Sequence, residues 1–237
     1  MRSELPKALH PVCGRPMLLH VLTAARAVAA ERIVVVLGHG YEQVVPHLPD
    51  DCVVALQERQ LGTGHALLAA AGSILPGPAL VLSGDTPLIT GELLRGLVRD
   101  HAASGAAATI LTMELADPTG YGRVVRDADG SVLRVVEHRD ATREELAIHE
   151  VNAGLYVLPA PLALEILEQA TADNDQGEIY LTDVIGGLRL RGERVAAAKV
   201  SDPSLVIGVN SQAELVQAEA LMAARIRRES QAAVGDR

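Results

Sequence analysis

Phenylalanine and tryptophan are absent from the 237 residues, and tyrosine occurs only four times. The core must therefore be built from Val, Leu, Ile and Ala, and a hydrophobic content of 49% supplies enough for one large domain or a core with a smaller lobe. Cysteine is equally scarce. Cys13 and Cys52 cannot build a disulfide framework and neither stands in a CxxC spacing, which points to a reducing cytosol. The eight histidines form no HxxxH pair and no Cys/His cluster, so zinc has no support. Gly-x-Ser-x-Gly is missing, which removes the usual hydrolase elbow. No apolar run approaches the ~20 residues of a bilayer span. Met1 is followed by Arg2-Ser3-Glu4-Leu5-Pro6 rather than an apolar signal core, so nothing targets or anchors the chain and a cytoplasmic location is expected. Basic residues are in deficit, 21 against 30 acidic, for a formal charge of -9. That balance argues against a broad nucleic-acid surface, yet admits a small anionic ligand where a cation or local basic group offsets the repulsion.

What is present reads mostly as alternating helices and strands. Met17, Leu18, Val21, Leu22 and Ala25 share one face of a helix that opens at Arg15-Pro16-Met17 and runs to about Ala29. Arg32 to Gly38 is too continuously apolar for a half-solvated strand and suits a parallel strand covered on both faces. A helix near Tyr41 to His47, a strand Cys52 to Gln57, a helix Gly64 to Ala71, a strand Ala79 to Ser83, a helix Gly91 to Ala102 and a strand Ala106 to Met113 follow. The pattern then changes. Gly122 to Arg126 and Ser131 to Glu137 flank Asp127-Ala128-Asp129-Gly130, a hairpin signal, so the second half mixes antiparallel with parallel pairing. Val151 to Leu158 is a strand, Pro161 to Ala170 and Leu181 to Leu190 are helices, and Arg194 to Lys199 closes a sheet. A final helix runs from residue 211 to about 233, capped by Ser211 or Asn210, and its charged end passes into a polar tail. No repeat of 20 to 50 residues occurs. The order also begins with a loop and helix that no strand precedes, although parallel crossovers run strand, helix, strand.

Ligands of open α/β sheets gather beyond the carboxyl ends of the strands. Ser83-Gly84-Asp85-Thr86-Pro87 stands at such an exit, with Gly84 allowing close backbone approach and Asp85 read either as a metal ligand or as the cap of Thr86-Pro87. Gln60 to Ala66 places two glycines before a helix, where backbone N–H groups can meet a nucleobase or phosphate, or simply form a pliable helix entry. It lacks the lysine of a Walker loop and the spacing of GxGxxG. Lys7 in Leu5-Pro6-Lys7 is a phosphate-holding cation or a solvated charge. Asn210 in Gly208-Val209-Asn210 is an oxygen ligand for a hard cation or a helix cap.

Taken in order, LPKALHPVCGRPML, LGHG, ALQERQLGTGHA, SGDTPLI, DPTGYGRVV, VVEHRDAT, EVNAGLYV, NDQGEIYLTDVI and GVNSQAEL are far more specific than any one of them. From Ser3 to about Ala220 they resemble the N-acetylglucosamine-1-phosphate uridylyltransferase domain of the bacterial bifunctional enzyme that also acetylates glucosamine-1-phosphate. The resemblance implies a Rossmann-like, glycosyltransferase-A-like nucleotidyltransferase: a mixed α/β sheet flanked by helices, over residues 1–210, with a linker helix and tail over 211–237. It implies Mg²⁺-dependent transfer of UMP from UTP to N-acetylglucosamine-1-phosphate. By the same resemblance Lys7 holds nucleotide phosphate, Gln57, Gly62 and Thr63 recognise uracil, and Asp85 and Asn210 ligate Mg²⁺. Ser83 and Gly84 line the substrates beside Asp85, and Gly122, Glu137, Asn152, Tyr180 and Thr182 surround the sugar.

Two parts of the family pattern are not among these residues. The family's opening strand and its Leu-x-Ala-Ala-Gly-x-Gly-Thr-Arg loop are expected immediately before Met1. A left-handed β-helix, through which the resemblance suggests a trimer, is expected after the last helix, so acetyl transfer is not implied. The alternatives are a nucleotidyltransferase for another sugar-1-phosphate and a non-catalytic nucleotide-sugar-binding remnant.

Overall fold

The computed structural model describes residues 5–235. After a 3-10 turn over Lys7–Leu9, strands β1 (Pro11–Val12) and β2 (Arg15–Pro16) form a hairpin. Its two loop residues, Cys13 and Gly14, both have positive φ, 49° and 76°, as a two-residue turn that follows strand twist requires. Cys13 hid this turn from a sequence reading tuned to Asn-Gly and Asp-Gly. Then come α1 (Met17–Arg26), β3 (Ile33–Leu37), α2 (Tyr41–Val44), β4 (Cys52–Leu56), α3 (Thr63–Ala69), β5 (Pro78–Val81), α4 (Gly91–Ser104) and β6 (Ala108–Glu114). The hairpin β7 (Arg123–Arg126) and β8 (Val132–Val136) leads through α5 (Arg143–Leu146) to β9 (Glu150–Pro159). α6 (Ala160–Gln169), α7 (Asp183–Leu190), β10 (Val195–Lys199) and α8 (Gln212–Gly235) complete the order. The expected elements are present within a few residues. α8 runs to Gly235, about two residues past its expected end, and the rest of the polar tail expected there, residues 236 and 237, lies outside the described residues.

β3 and β4 pair in parallel with each other. The other sheet has six strands, β10-β6-β9-β7-β8 with β5 also on β9. β9 organises it: β6 runs antiparallel along one edge of β9, and β5 and β7 run antiparallel along the other. Only β10 joins in parallel, to β6. No ladder connects β3 and β4 to the six-stranded sheet among the described residues. The register of β6 against β9 slips between Ile110 and Thr112, where Gly154 takes φ 75°. This bulge turns the strand locally just beyond Asn152.

Packing explains where the site forms. Among the described residues four apolar clusters fill the interior, and two flank the large sheet: Ile110, Leu158, Leu167, Ile185 and Leu188 on the α6 and α7 side, Val21, Leu94, Met113, Leu155 and Val206 on the α1 and α4 side. A third holds β3 against α1 through Leu18, Leu22, Val35 and Leu37. The fourth is small and decisive. Val12 and Met17 after the Lys7 turn, Leu88 after Asp85, Val209 before Asn210, and Ala218 and Met222 of α8 pack together. Burying each Val, Leu or Met side chain contributes roughly 1.5–3 kcal/mol, so chain segments some 200 residues apart (Val12 and Val209) are held side by side by ordinary apolar packing.

Candidate active site

Over that fourth cluster, the ammonium of Lys7 bonds to Oδ2 of Asp85 and, at 2.7 Å, to Oδ1 of Asn210. A neighbour caps the chain beside each partner. At the start of α8, Ser211 Oγ accepts from the Glu214 N–H at 3.2 Å, and the Glu214 carboxylate accepts from the N–H groups of Ser211 and Asn210 at 2.7 and 2.8 Å. Beside that reciprocal cap, Oδ1 of Asn210 faces Lys7. Asp85 does not cap Thr86-Pro87. Thr86 Oγ1 closes the turn onto the Ser83 carbonyl at 2.9 Å, while Ser83 Oγ donates to Asp85 Oδ1 at 2.6 Å. Ser83 thus holds one carboxylate oxygen and turns the other toward Lys7. The backbone locks the pair, because Val209 N–H donates to the Asp85 carbonyl at 2.9 Å and Gly208 lies against Asp85 Oδ1.

Two oxygens of different segments therefore converge on one cation, here an ammonium. Hard oxygen donors of this kind suit Mg²⁺, which takes one or two protein ligands and completes its shell with water and substrate phosphates. Among the described residues no group of three or more His, Cys, Asp or Glu forms a self-sufficient metal site.

A second group gathers around Glu137. Thr182 Oγ1 donates to Glu137 Oε1 at 3.0 Å, and a Cβ at Gly122 would stand 3.0 Å from Val135 and 3.5 Å from the Glu137 carboxylate. Gly122 keeps the space above that carboxylate open. Burial pushes the Glu137 carboxyl up; the Thr182 bond opposes this, and Asp140, Asp183 and Glu178 reinforce it. Asn152 joins through its backbone N–H, which donates to the Gly122 carbonyl at 2.9 Å. Its side chain is engaged inward, Nδ2 donating to the buried Tyr156 hydroxyl at 2.5 Å and Oδ1 accepting from Gly154 N–H at 3.0 Å. Tyr180 is buried, with its hydroxyl accepting from Gln176 at 2.9 Å.

The third group is the loop between β4 and α3. Gln57 Nε2 donates to the Gly62 carbonyl at 3.0 Å. Gly62 has φ 105°, and a Cβ there would lie 2.5 Å from the Ile179 carbonyl oxygen. A Cβ on Gly64 would lie 2.7 Å from Leu167, so both glycines are close-approach residues. The Leu61 carbonyl accepts from Ile179 N–H and the Ile179 carbonyl from Gly64 N–H, each at 2.8 Å. Thr63 Oγ1 accepts from Leu181 N–H at 3.0 Å. This loop is thereby stitched to the segment that carries Tyr180 and Thr182. Half-buried Tyr121, the residue before Gly122, is close to the first group: burial raises its phenol, and the carboxylates of Glu214 and Asp85 add to the rise. Tyr121 carried no role in the sequence reading, although it sits inside the motif DPTGYGRVV. A cavity of about 240 Å³ between β10 and the β7–β8 hairpin, lined by residues such as Arg126, Val132 and Arg194, includes none of these groups.

In an α/β sheet, oxygens that converge at a strand exit stand where ligands gather. Residues 1–179 match the MobA-like NTP transferase domain, and the chain belongs to that family; its fold is the Rossmann-like nucleotidyltransferase fold. The chain is 45% identical over 233 residues to the bifunctional protein GlmU of Streptomyces avermitilis, covering 95% of this chain and 48% of that protein. It is 45% identical over 235 residues to that of Thermobifida fusca, covering 95% and 49%. With that of Halalkalibacterium halodurans the figures are 46% over 228 residues, 95% and 50%. The chain thus spans about half the length of the curated relatives it matches.

Proposed function

We propose that these residues form the site of uridylyl transfer, in which N-acetylglucosamine-1-phosphate attacks the α-phosphorus of UTP to give UDP-N-acetylglucosamine and pyrophosphate. The observation that carries this reading is the convergence of Lys7, Asp85 and Asn210 on one point. In an acidic chain of formal charge -9, Lys7 supplies a cation to a polyphosphate ligand. Mg²⁺ held by Asp85 and Asn210 would neutralise phosphate charge. Ser83 keeps the Asp85 carboxylate aimed, and Gly84 leaves room for a phosphate beside the backbone. Gln57, Gly62 and Thr63 are assigned to uracil, and Gly122, Glu137, Asn152, Tyr180 and Thr182 to the sugar.

The reaction needs no protein nucleophile. The attacking oxygen is already an anion on the sugar phosphate, so the chain's work is to orient two anions and offset their repulsion. Glu137, accepting from Thr182, offers its free carboxylate oxygen to sugar hydroxyl and amide N–H donors. The stitched contacts of Thr63 and Ile179 keep the base groups and sugar groups at a fixed separation.

Asp85→Asn keeps the size of the side chain and removes its charge. Turnover of UTP with N-acetylglucosamine-1-phosphate and Mg²⁺ is expected to fall by about 100-fold or more, the size of an electrostatic contribution at such a centre. Near-normal turnover at saturating Mg²⁺ would defeat the assignment.

A further inference from the structure

Among the described residues, the bulkiest side chain that the fold buries completely is an arginine, Arg123, at 2% exposed. No carboxylate forms an ion pair with it there; Asp117 acts on it through its field alone. Its Nε–H has no acceptor. Replacing buried charged groups by apolar side chains of similar volume is often neutral or stabilising, so packing gives no reason for an arginine here. Its two remaining contacts do. Nη1 donates to the Tyr121 carbonyl, and Nη2 stands 3.3 Å from Nδ1 of His138. A guanidinium donates and never accepts, so Nδ1 is the acceptor.

Both contacts bear on the group around Glu137. Arg123 pairs with Val136 across the β7–β8 hairpin, so Gly122 and Glu137 stand at the next position, and a Cβ at Gly122 would lie 3.5 Å from the Glu137 carboxylate. Tyr121 precedes Gly122 and His138 follows Glu137, so one side chain grips the backbone just before the first and the side chain just after the second. The trans peptide between Tyr121 and Gly122 points its C=O and N–H in opposite directions. With the carbonyl drawn to the guanidinium, the Gly122 N–H is turned away from it. We propose that Arg123 is the positioning residue of the sugar group: without touching the ligand, it orients the Tyr121–Gly122 peptide and holds Gly122 and Glu137 at the separation a sugar requires. The inference rests on reading Gly122 and Glu137 as sugar-facing residues.

Equilibrium dialysis of UDP-N-acetylglucosamine and of UDP, each with Mg²⁺, tests it without requiring turnover, because the ratio of the two affinities isolates the sugar. The chains compared are the wild type, Arg123→Met, Arg123→Lys, His138→Leu and the Arg123→Met/His138→Leu pair. Arg123→Met fills nearly the same space without donors. Its melting temperature is expected to stay within about 5 °C of the parent's, while UDP-N-acetylglucosamine binds about 10-fold more weakly, the size of one hydrogen bond in a site, and UDP changes less than about 2-fold. Arg123→Lys keeps the charge but reaches one acceptor only, so the ratio should fall about 3-fold; it decides the matter if Arg123→Met does not fold. In the Arg123→Met background, His138→Leu should add nothing to the loss, since the clamp is already open. Equal weakening of both ligands, an unchanged ratio in folded variants, additive losses, or failure of both Arg123 variants to fold would overturn the role of Arg123. A wild-type chain that binds UDP-N-acetylglucosamine no better than UDP would instead remove the sugar assignment on which it rests.

Discussion

Glu137 shows most directly what a single residue contributes here. A carboxyl raised by burial favours its neutral form in the fold, so the group contributes stability below its unfolded pKa of about 4.3. That contribution is lost as pH rises through the folded value, because the buried carboxyl gives up its proton less readily in the fold than in the unfolded chain. Glu137→Gln mimics the neutral form at every pH. Its melting temperature should match the parent below about pH 4 and exceed it at pH 7.5, while binding of the sugar phosphate weakens. Equal melting temperatures at pH 7.5 would deny the raised pKa. Asn210 and Asp85 teach a different lesson at this scale. Each had a commonplace alternative as a cap, and sequence alone left it open. Ser211 with Glu214, and Thr86 with Ser83, take over the capping, and these contacts depend on side-chain geometry that the motif does not encode. The hold of Ser83 on Asp85 was hidden for a similar reason: both lie inside a recognised motif, but the contact between them is set by rotamers.

Among elements, the loop between β4 and α3 is the most constrained. Gly62→Ala places a methyl group against the Ile179 carbonyl in a backbone conformation with φ 105° that L-residues avoid. Such strain costs about 1–3 kcal/mol, enough to lower the melting temperature by several degrees in a domain of this size. UTP binding should fall more than stability does, because the Gln57 and Thr63 contacts move with the loop. A variant with unchanged melting temperature and UTP affinity would contradict the close approach. The elements themselves were largely legible, since hydrophobic period distinguishes α4 from β6 without tertiary information. Strand pairing was not. The alternation before β6 reads as parallel, and β5 and β6 do run in the same direction, but β9, a strand about 40 to 80 residues later in the sequence, lies between them and pairs antiparallel with both. The β1–β2 hairpin was missed because its turn begins with Cys13 rather than Asn or Asp.

For the whole molecule, one small apolar cluster does what no local pattern can: Val12, Leu88 and Val209 bring Lys7, Asp85 and Asn210 together from opposite ends of the sequence. The nine ordered motifs made that meeting foreseeable, whereas composition and spacing stopped at separate candidates. None of the described helices is long and apolar enough to cross a membrane. The central claim is that this meeting point serves UTP and an N-acetylated sugar phosphate. Pyrophosphate release, measured with Mg²⁺ across UTP, CTP, ATP and GTP and across N-acetylglucosamine-1-phosphate, glucosamine-1-phosphate and glucose-1-phosphate, tests it most directly. The account predicts that UTP with N-acetylglucosamine-1-phosphate gives the highest turnover of the panel, and that removing Mg²⁺ abolishes it. A higher turnover with any other pair, or release that persists without a divalent cation, would contradict it.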